Sequence, residues 1–328
     1  MFHQTPLKTA AILILLSAGV LYGVFTGYFG RELLMEIAIL AIVAISLDIV
    51  AGYGGMISLC HGALYGIGAY AFAAATVHGE LGAPVGMGMA ILAAVIFAAF
   101  VGAVTARTEG IFFIMATLAF GQMVYEWVFK STDFGGDDGL PGVPRLDLSA
   151  VGIDLFDSLY FALFCLLCTG LAYGVAAGLL RSGFGRTLVG IRANEARMRA
   201  LGLPVWRYKA LAFAASGALA GLAGALAAQH TMYVSPQLLY WTVSGEVLVI
   251  VILGGLGTLI GPVLGAAILV LLRHEVQSYT DHWHIIVGLV LIAAVLLGGR
   301  GVYGELEHRL GRRKTPASSA AEQEPSHA

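Results

Sequence analysis

The chain has 328 residues, of which 59% are hydrophobic and 12% charged, with a formal net charge of −2. Soluble domains carry about a quarter charged residues, so this balance excludes an ordinary soluble enzyme, and the near-neutral total gives no field that would draw nucleic acid. The 44 glycines would weaken helices in water but let helices approach closely in lipid, so the chain is expected to be all-α, a polytopic membrane helix bundle of about ten transmembrane helices.

Lys8 precedes an uncharged stretch from Thr9 to Gly30. That stretch is long enough to cross a bilayer and has no clear small-residue cleavage site, so it is expected to be a retained first span. Further spans are expected near 33–51, 54–77, 82–106, 110–130, 155–180, 210–231, 241–256, 258–276 and 284–299. Asp48 lies toward the end of the second span and Glu246 in the eighth, each a candidate proton or ion site without a basic partner in its own span.

The stretch 51–70 reads AGYGGMISLCHGALYGIGAY. Its paired glycines, Gly54 and Gly55, can break or start a helix at membrane depth, where irregular backbone is tolerated only against protein or a water-filled cavity. Ser58 and His61 lie three apart and are expected to share a helix face, with Gly62, Gly66 and Ala69 at a close helix contact. A pathway-lining helix and a tightly packed interior helix both account for this pattern. In 109–126, Thr117 and Gln122 are the polar residues best placed to line a pathway, whereas Glu126 sits beside Trp127 and Lys130 in an ordinary interfacial belt. The loop 131–154 holds Asp133, Asp137, Asp138, Asp147 and Asp154. It lacks the ligand count and spacing of a calcium loop and is expected to be a compact external segment. Cys165 and Cys168 have apolar neighbours and are expected to pack rather than bind metal or cycle redox state.

Residues 181–209 carry seven of the chain's eighteen basic residues, Arg181, Arg186, Arg192, Arg197, Arg199, Arg207 and Lys209, with Glu195 as their single acid. Such a loop stays cytoplasmic. Asn194 can cap a short helix near 194–201, Glu195 complements its N-terminal dipole, and Gly202 followed by Pro204 can end it. A small capped helix on a cytoplasmic loop suits docking on a soluble partner.

The apolar run 241–276 is too long for one span, and the glycines and proline of 254–262 divide it. With that division, the basic clusters at 181–209 and 300–314 fall on one side, and both termini are cytoplasmic. One transmembrane domain is expected over 1–310, with its coupling loop at 181–209 and a disordered cytoplasmic tail at 311–328. The glycine-rich stretches 52–68 and 254–265 fall in opposite halves, compatible with inverted internal symmetry and equally with chance clustering. There is no phosphate-binding GxxxxGK[ST] loop, HExxH motif, TVGYG filter or arginine-rich voltage helix.

Five segments in order, AGYGGMISLCHGALYGIGAY (51–70), GIFFIMATLAFGQ (110–122), GGDDGLPGVP (135–144), GRTLVGIRANEARMRALG (185–202) and SGEVLVIVILGGLGTLIGPVLGA (244–266), resemble the permeases of branched-chain amino-acid ABC importers, in particular their M-type subunit. Cys60 departs from the small residue more usual before the histidine. The resemblance implies a non-catalytic subunit of the cell inner membrane, without cofactor or metal. It implies a second related permease subunit, two cytoplasmic ATP-binding subunits and a periplasmic or surface substrate-binding protein as partners. It also implies that 185–202 is the ATPase-coupling motif, with Gly185, Arg186, Gly190, Arg192, Asn194, Glu195, Arg197, Arg199, Leu201 and Gly202 as its residues. The expected pathway residues are Ser58, His61, Thr117 and Gln122. Other readings are a urea- or amide-type permease of the same superfamily, an ion-coupled secondary transporter using Asp48, Glu126 or Glu246, and a passive channel.

Overall fold

The computed structural model describes residues 6–79, 81–147 and 154–279, with scattered positions from 282 to 304. The expected tenth span at 284–299 lies largely outside the described residues, and Asp281 and the tail 311–328 lie wholly outside them.

Eleven helices account for most of the described chain. They are α1 (Pro6–Phe25), α2 (Tyr28–Leu47), α3 (His61–Ala73), α4 (Ala83–Thr105), α5 (Ile111–Lys130), α6 (Ser158–Arg181), α7 (Gly183–Ala193), α8 (Glu195–Ala200), α9 (Val205–Thr231), α10 (Trp241–Gly254) and α11 (Ile260–Gln277). Wider π-type turns extend α2 through Asp48–Tyr53 and α3 through Ala74–His78. Six helical stretches among the described residues are long and apolar enough to cross a membrane: Tyr28–Tyr53, α4, α5, α6, α9 and α11. Ile12–Phe25 and α10 are apolar but shorter. The helical expectation has one local exception: Leu140–Pro141 (β1) pairs antiparallel with Tyr233–Val234 (β2).

Short-range chemistry explains many of the boundaries. Asp157 caps α6 by accepting from the Leu159 N–H, and Ser182 caps α7 by accepting from the Phe184 N–H. Pro84 stands in the first turn of α4, where its missing N–H costs nothing. α10 and α11 are separate helices, as the glycines of 254–261 suggest.

The core is built on α2 and α9. In the apolar window of α2, 78% of residues are buried and in that of α9 67%, against 28% for α4 and 22% for α5. The outer faces of α4 and α5 are therefore left for lipid or another subunit. α9 packs on α4, α3 and α2, and small residues permit the approach. A Cβ added at Gly217 would lie 2.4 Å from the Ala98 methyl, one at Gly221 2.6 Å from that of Ala94, and one at Gly224 2.0 Å from the Tyr65 carbonyl oxygen. Lipid supplies no hydrophobic drive between helices, so van der Waals contact at this range does the work.

The loops sort into two ends. At one, Gly52 lies against Gly257, Gly55 against Arg192, and Gly301 against Gly255, while Arg199 pairs with Glu109. At the other, Arg31 donates to the Ser158 hydroxyl, His230 pairs with Glu32, and the Tyr233 hydroxyl donates to the Asp138 carbonyl. Arg145 anchors the 131–147 loop there, donating to the backbone carbonyls of Gln229, His230, Leu155 and Phe156.

The α4–α9 contact gives a direct test. Gly217→Val and Gly221→Leu place carbon where the opposing backbone already sits, and each is expected to cost about 1–3 kcal/mol or more through overpacking. Thermal unfolding in detergent should show both variants melting well below wild type, while Gly174→Ala, where a Cβ meets nothing within 4 Å, should not shift.

Candidate functional site

Two interrupted segments meet at the end of the molecule that carries α8. The first is the break after α2, residues 54–60, and the second is the turn 255–259 between α10 and α11. Asp48, fully buried on α2's extension, joins them. Its Oδ1 accepts from the Gly257 N–H at 2.6 Å and its Oδ2 from the Leu259 N–H at 3.0 Å. The Thr258 hydroxyl accepts from the Gly261 N–H, so two donors at the start of α11, Leu259 and Gly261, are satisfied by side chains. Leu259 holds φ +59, a left-handed conformation that is strained for a residue with a branched side chain. Gly52 leaves no room for a Cβ, which would lie 2.6 Å from the Gly257 nitrogen.

The break itself and the start of α3 are tied by hydroxyls. Ser58 accepts from the Cys60 N–H, and Thr117 of α5 accepts from the Leu59 N–H. His61 Nε2 donates to Ser216 Oγ at 2.7 Å, because the Ser216 hydroxyl itself donates to the Ser46 carbonyl. Ser244 of α10 accepts from the Gly62 N–H. The expectation that Ser58 and His61 share a helix face is corrected here: α3 begins at His61, and Ser58 precedes it in non-helical backbone. The glycines decide this, since the chain leaves helical geometry at Gly55, whose φ is +71. Ser58, His61 and Thr117 are thus brought to one place and fully buried. Gln122 lies farther along α5, half-buried, with no hydrogen bond to that cluster, and its Oε1 has no partner. His61 Nδ1 is likewise buried without one.

The basic loop folds as α7 and α8. The Asn194 side chain accepts from the Arg197 N–H at 2.8 Å, capping α8. At the other end the Gly202 N–H reaches the Arg199 carbonyl and the Leu203 N–H the Met198 carbonyl, with Gly202 at φ +80, a Schellman termination. Gly190 lets α8 lie close to α7, since a Cβ there would lie 2.8 Å from the Met198 methyl. Gly185 fits against the Leu180 backbone. Arg186, Arg192, Arg197, Arg199 and Leu201 are exposed.

Glu195 does not face outward with them. Its carboxylate pairs with Arg199 one turn along and with Lys209 of α9 at 2.6 Å. Lys209 is only 4% exposed. Burial alone would raise the Glu195 carboxyl, but the Lys209 ammonium and the Arg199 guanidinium outweigh it and hold the group below the ordinary carboxylate range. Arg199 also reaches Glu109, in the turn before α5, at 3.2 Å. The helix is therefore strapped to both α9 and the base of α5.

The other two acids expected as candidate ion sites are engaged elsewhere. Glu246 pairs with Arg273 of α11 at 2.9 Å, and Arg273 pairs with Glu36 of α2. Glu126 pairs with Lys130 at 3.0 Å on the surface. Cys165 and Cys168 are free thiols buried on α6. Sequence reading missed Ser216, Ser244 and Lys209. Lone hydroxyls in alanine- and glycine-rich spans give no local signal. Lys209 had one: it is the last charge before the long apolar run of α9.

Residues 31–295 match the family described as Branched-chain amino acid transport system / permease component. The chain is 29% identical over 283 residues to the high-affinity branched-chain amino acid transport system permease protein LivM of Salmonella typhimurium, covering 80% of this chain and 67% of that protein. The Escherichia coli LivM gives the same identity and coverage. The autoinducer 2 import system permease protein LsrC of Klebsiella pneumoniae is 37% identical over 142 residues, 40% of this chain and 41% of that one. No solved structure gives a significant match.

The Glu195–Lys209 pair predicts a pH response of defined sign. A glutamate held below its unfolded value contributes stability that is complete above the unfolded value and is lost as pH falls through the depressed one. Hydrogen exchange at the α8 amides should therefore stay slow from neutral pH down to about pH 4.3, the ordinary glutamate value. Glu195→Gln should speed that exchange at pH 7, because it strands the buried Lys209 ammonium. Unchanged α8 protection in Glu195→Gln would show that the ion pair does not hold the helix.

Proposed function

Because the chain belongs to the branched-chain amino acid transport system permease family, we propose that it is the membrane-spanning, non-catalytic subunit of an ATP-driven importer for branched-chain or related apolar amino acids. The observation that carries this reading is α8: a two-turn helix, capped at both ends and strapped to α9 and α5, on an exposed basic loop. A rigid, exposed, two-point-anchored helix suits the transfer of motion from a soluble ATPase into membrane helices. Arg197, Arg199 and Leu201 present its outward face, with Arg192 exposed beside it at the end of α7, and Glu195 fixes its seat.

In this reading the partners are a second related permease, two ATP-binding subunits and a substrate-binding protein. The permease domain spans 1–310 with about ten crossings, the tail 311–328 is a cytoplasmic extension, and both termini face the cytoplasm of an inner-membrane protein. The end bearing α8 is the cytoplasmic one, which the positive-inside rule supports. Ser58, His61, Thr117 and Gln122 contribute to the pathway. A zwitterionic amino acid needs a few dipoles and a largely apolar wall there, since a fixed buried charge left unpaired is costly. An ion-coupled mechanism gains no support from the acids it would use. Asp48 is bound to backbone amides, Glu246 to Arg273 and Glu126 to Lys130.

Uptake into energised vesicles tests the energy source. With the proton gradient collapsed and ATP supplied, uptake of leucine, isoleucine or valine should persist and should be abolished by vanadate; uptake that vanishes with the gradient overturns the reading. Arg197→Glu with Leu201→Asp should lower uptake about tenfold or more at unchanged membrane insertion, as loss of a charged and an apolar docking contact implies. Reporter fusions after Lys130 should read outside and those after Arg186 and Arg312 inside.

A further inference from the structure

At the end opposite α8, a cavity of about 380 Å³ lies among α3, α4 and α5. That volume is in the range of small-molecule sites. Small residues leave the space: Ala71 of α3, Ala74 and Ala75 of its extension, and Ala93 of α4. Val124 and Val128 line it from α5, and no described lining residue carries a charge. Met89 of α4 and Trp127 of α5 line the cavity and are themselves exposed, so it opens outward between these two helices. Farther in, α4 and α5 meet through Phe100 and Phe120, whose ring centroids are 5.7 Å apart. The Trp127 and Phe134 rings, 5.2 Å apart, border the cavity on the side of the 131–147 loop.

The cavity also has a definite depth in the membrane. The rise from Val124 to the end of α5 at Lys130 is about 9 Å, and that from the start of α4 at Ala83 to Ala93 about 15 Å. Half the hydrocarbon core is about 15 Å thick, so the cavity lies within one leaflet. Trp127 and the exposed Glu126–Lys130 pair mark the headgroup level above it. An apolar cavity of this kind does not hold water. In a bilayer the surrounding solvent is the acyl chains, and an apolar crevice open to them is filled by them. We propose that the cavity is a binding site for one acyl chain of a phospholipid of that leaflet, which wedges between α4 and α5. The proposal needs only that the chain spans a bilayer, not what it transports. α5 is the least enclosed of the six long apolar helices described, with 22% of its window buried. A chain seated behind it braces it, and α5 in turn holds the helix break through Thr117. Occupancy of the cavity and the position of α5 are therefore linked.

The test reconstitutes the full-length protein, with the subunits that co-purify with it, in bilayers containing a phosphatidylethanolamine whose acyl chain carries a terminal diazirine. Irradiation should attach lipid to residues 67–75, which line the cavity from α3 and lie behind α4 and α5. Ala74→Phe and Ala93→Phe, which fill the space, should each remove those adducts. Leu92→Phe, on the exposed face of α4, should leave them. Labelling confined to α4 and α5, or adducts on 67–75 that both filled variants keep, overturns the proposal. So does label on 67–75 that appears only when this chain is purified alone, which assigns the gap to a partner subunit. Hydrogen exchange gives a second measurement. Phospholipid returned to delipidated protein in detergent should slow exchange at the α5 amides near Val124–Lys130 in wild type and not in Ala93→Phe. Equal exchange with and without phospholipid in wild type overturns the bracing. Loss of ATP-driven uptake would sink the importer reading and leave both results standing.

Discussion

The Asp48 carboxylate holds together two pieces of chain that membrane physics otherwise disfavours. Backbone that leaves helical geometry away from water must find partners for its N–H groups. The turn at 255–259 finds two of them in one carboxylate, at Gly257 and Leu259. The extension of α2 that leads into the break lies against the same turn, close enough that Gly52 leaves no space for a methyl group. A buried acid is expensive unless its lone pairs are used, and here backbone amides rather than a cation use them. This explains how α10 and α11 remain two helices across so short a connection, and how Leu259 keeps a left-handed φ of +59.

From that pin outward, the molecule is graded. α2 and α9 are enclosed, and α9 is drawn against α4 and α3 by alanine and glycine surfaces that touch at backbone range. α4 and α5 keep apolar outer faces, with Leu92, Ile96, Phe100, Phe112, Met115 and Met123 exposed. The interior is thus enclosed and the rim loosely covered. α5 is the helix that spans both roles. Thr117 ties it to the break, and the turn before its first residue meets Arg199 of α8. The polar contacts along this route are few and specific, so motion of α8 has a short physical path to the helix break: through Arg199 to Glu109, and through Arg192 to Gly55.

The charge pattern at the opposite end has a different logic. Arg145 donates to four backbone carbonyls there and stacks over the Phe161 ring at 4.6 Å. It closes the C-terminal end of α9, where carbonyls lack helical partners and a cation is favoured by the helix dipole. Arg273 between Glu36 and Glu246 likewise joins α2, α10 and α11 in one contact. Of the acids that look like ion sites in a linear reading, Glu246 therefore serves to bind helices to one another and Asp48 to bind a helix to a turn, while Glu126 pairs within its own helix.

The sequence by itself determined what depends on neighbours in the chain. Run length and hydrophobicity gave the membrane class and the approximate segments of α4, α5, α6 and α11. Asn194 and Gly202 gave both ends of α8, because capping acts within a turn. The glycines of 254–261 gave the division between α10 and α11. What only the tertiary structure decided is which polar groups meet. Asp48 finds its amides 209 and 211 residues away, Ser216 and Ser244 reach the start of α3 from two other helices, and Glu195 turns inward to Lys209 instead of outward with its arginine neighbours. Ser58 left the helix face it was expected to share with His61 because the glycines ahead of it end the helix and hydroxyls from other segments support the irregular backbone. Such pairings are fixed by helix register and by how closely small residues let backbones approach, and a single sequence carries no local record of either.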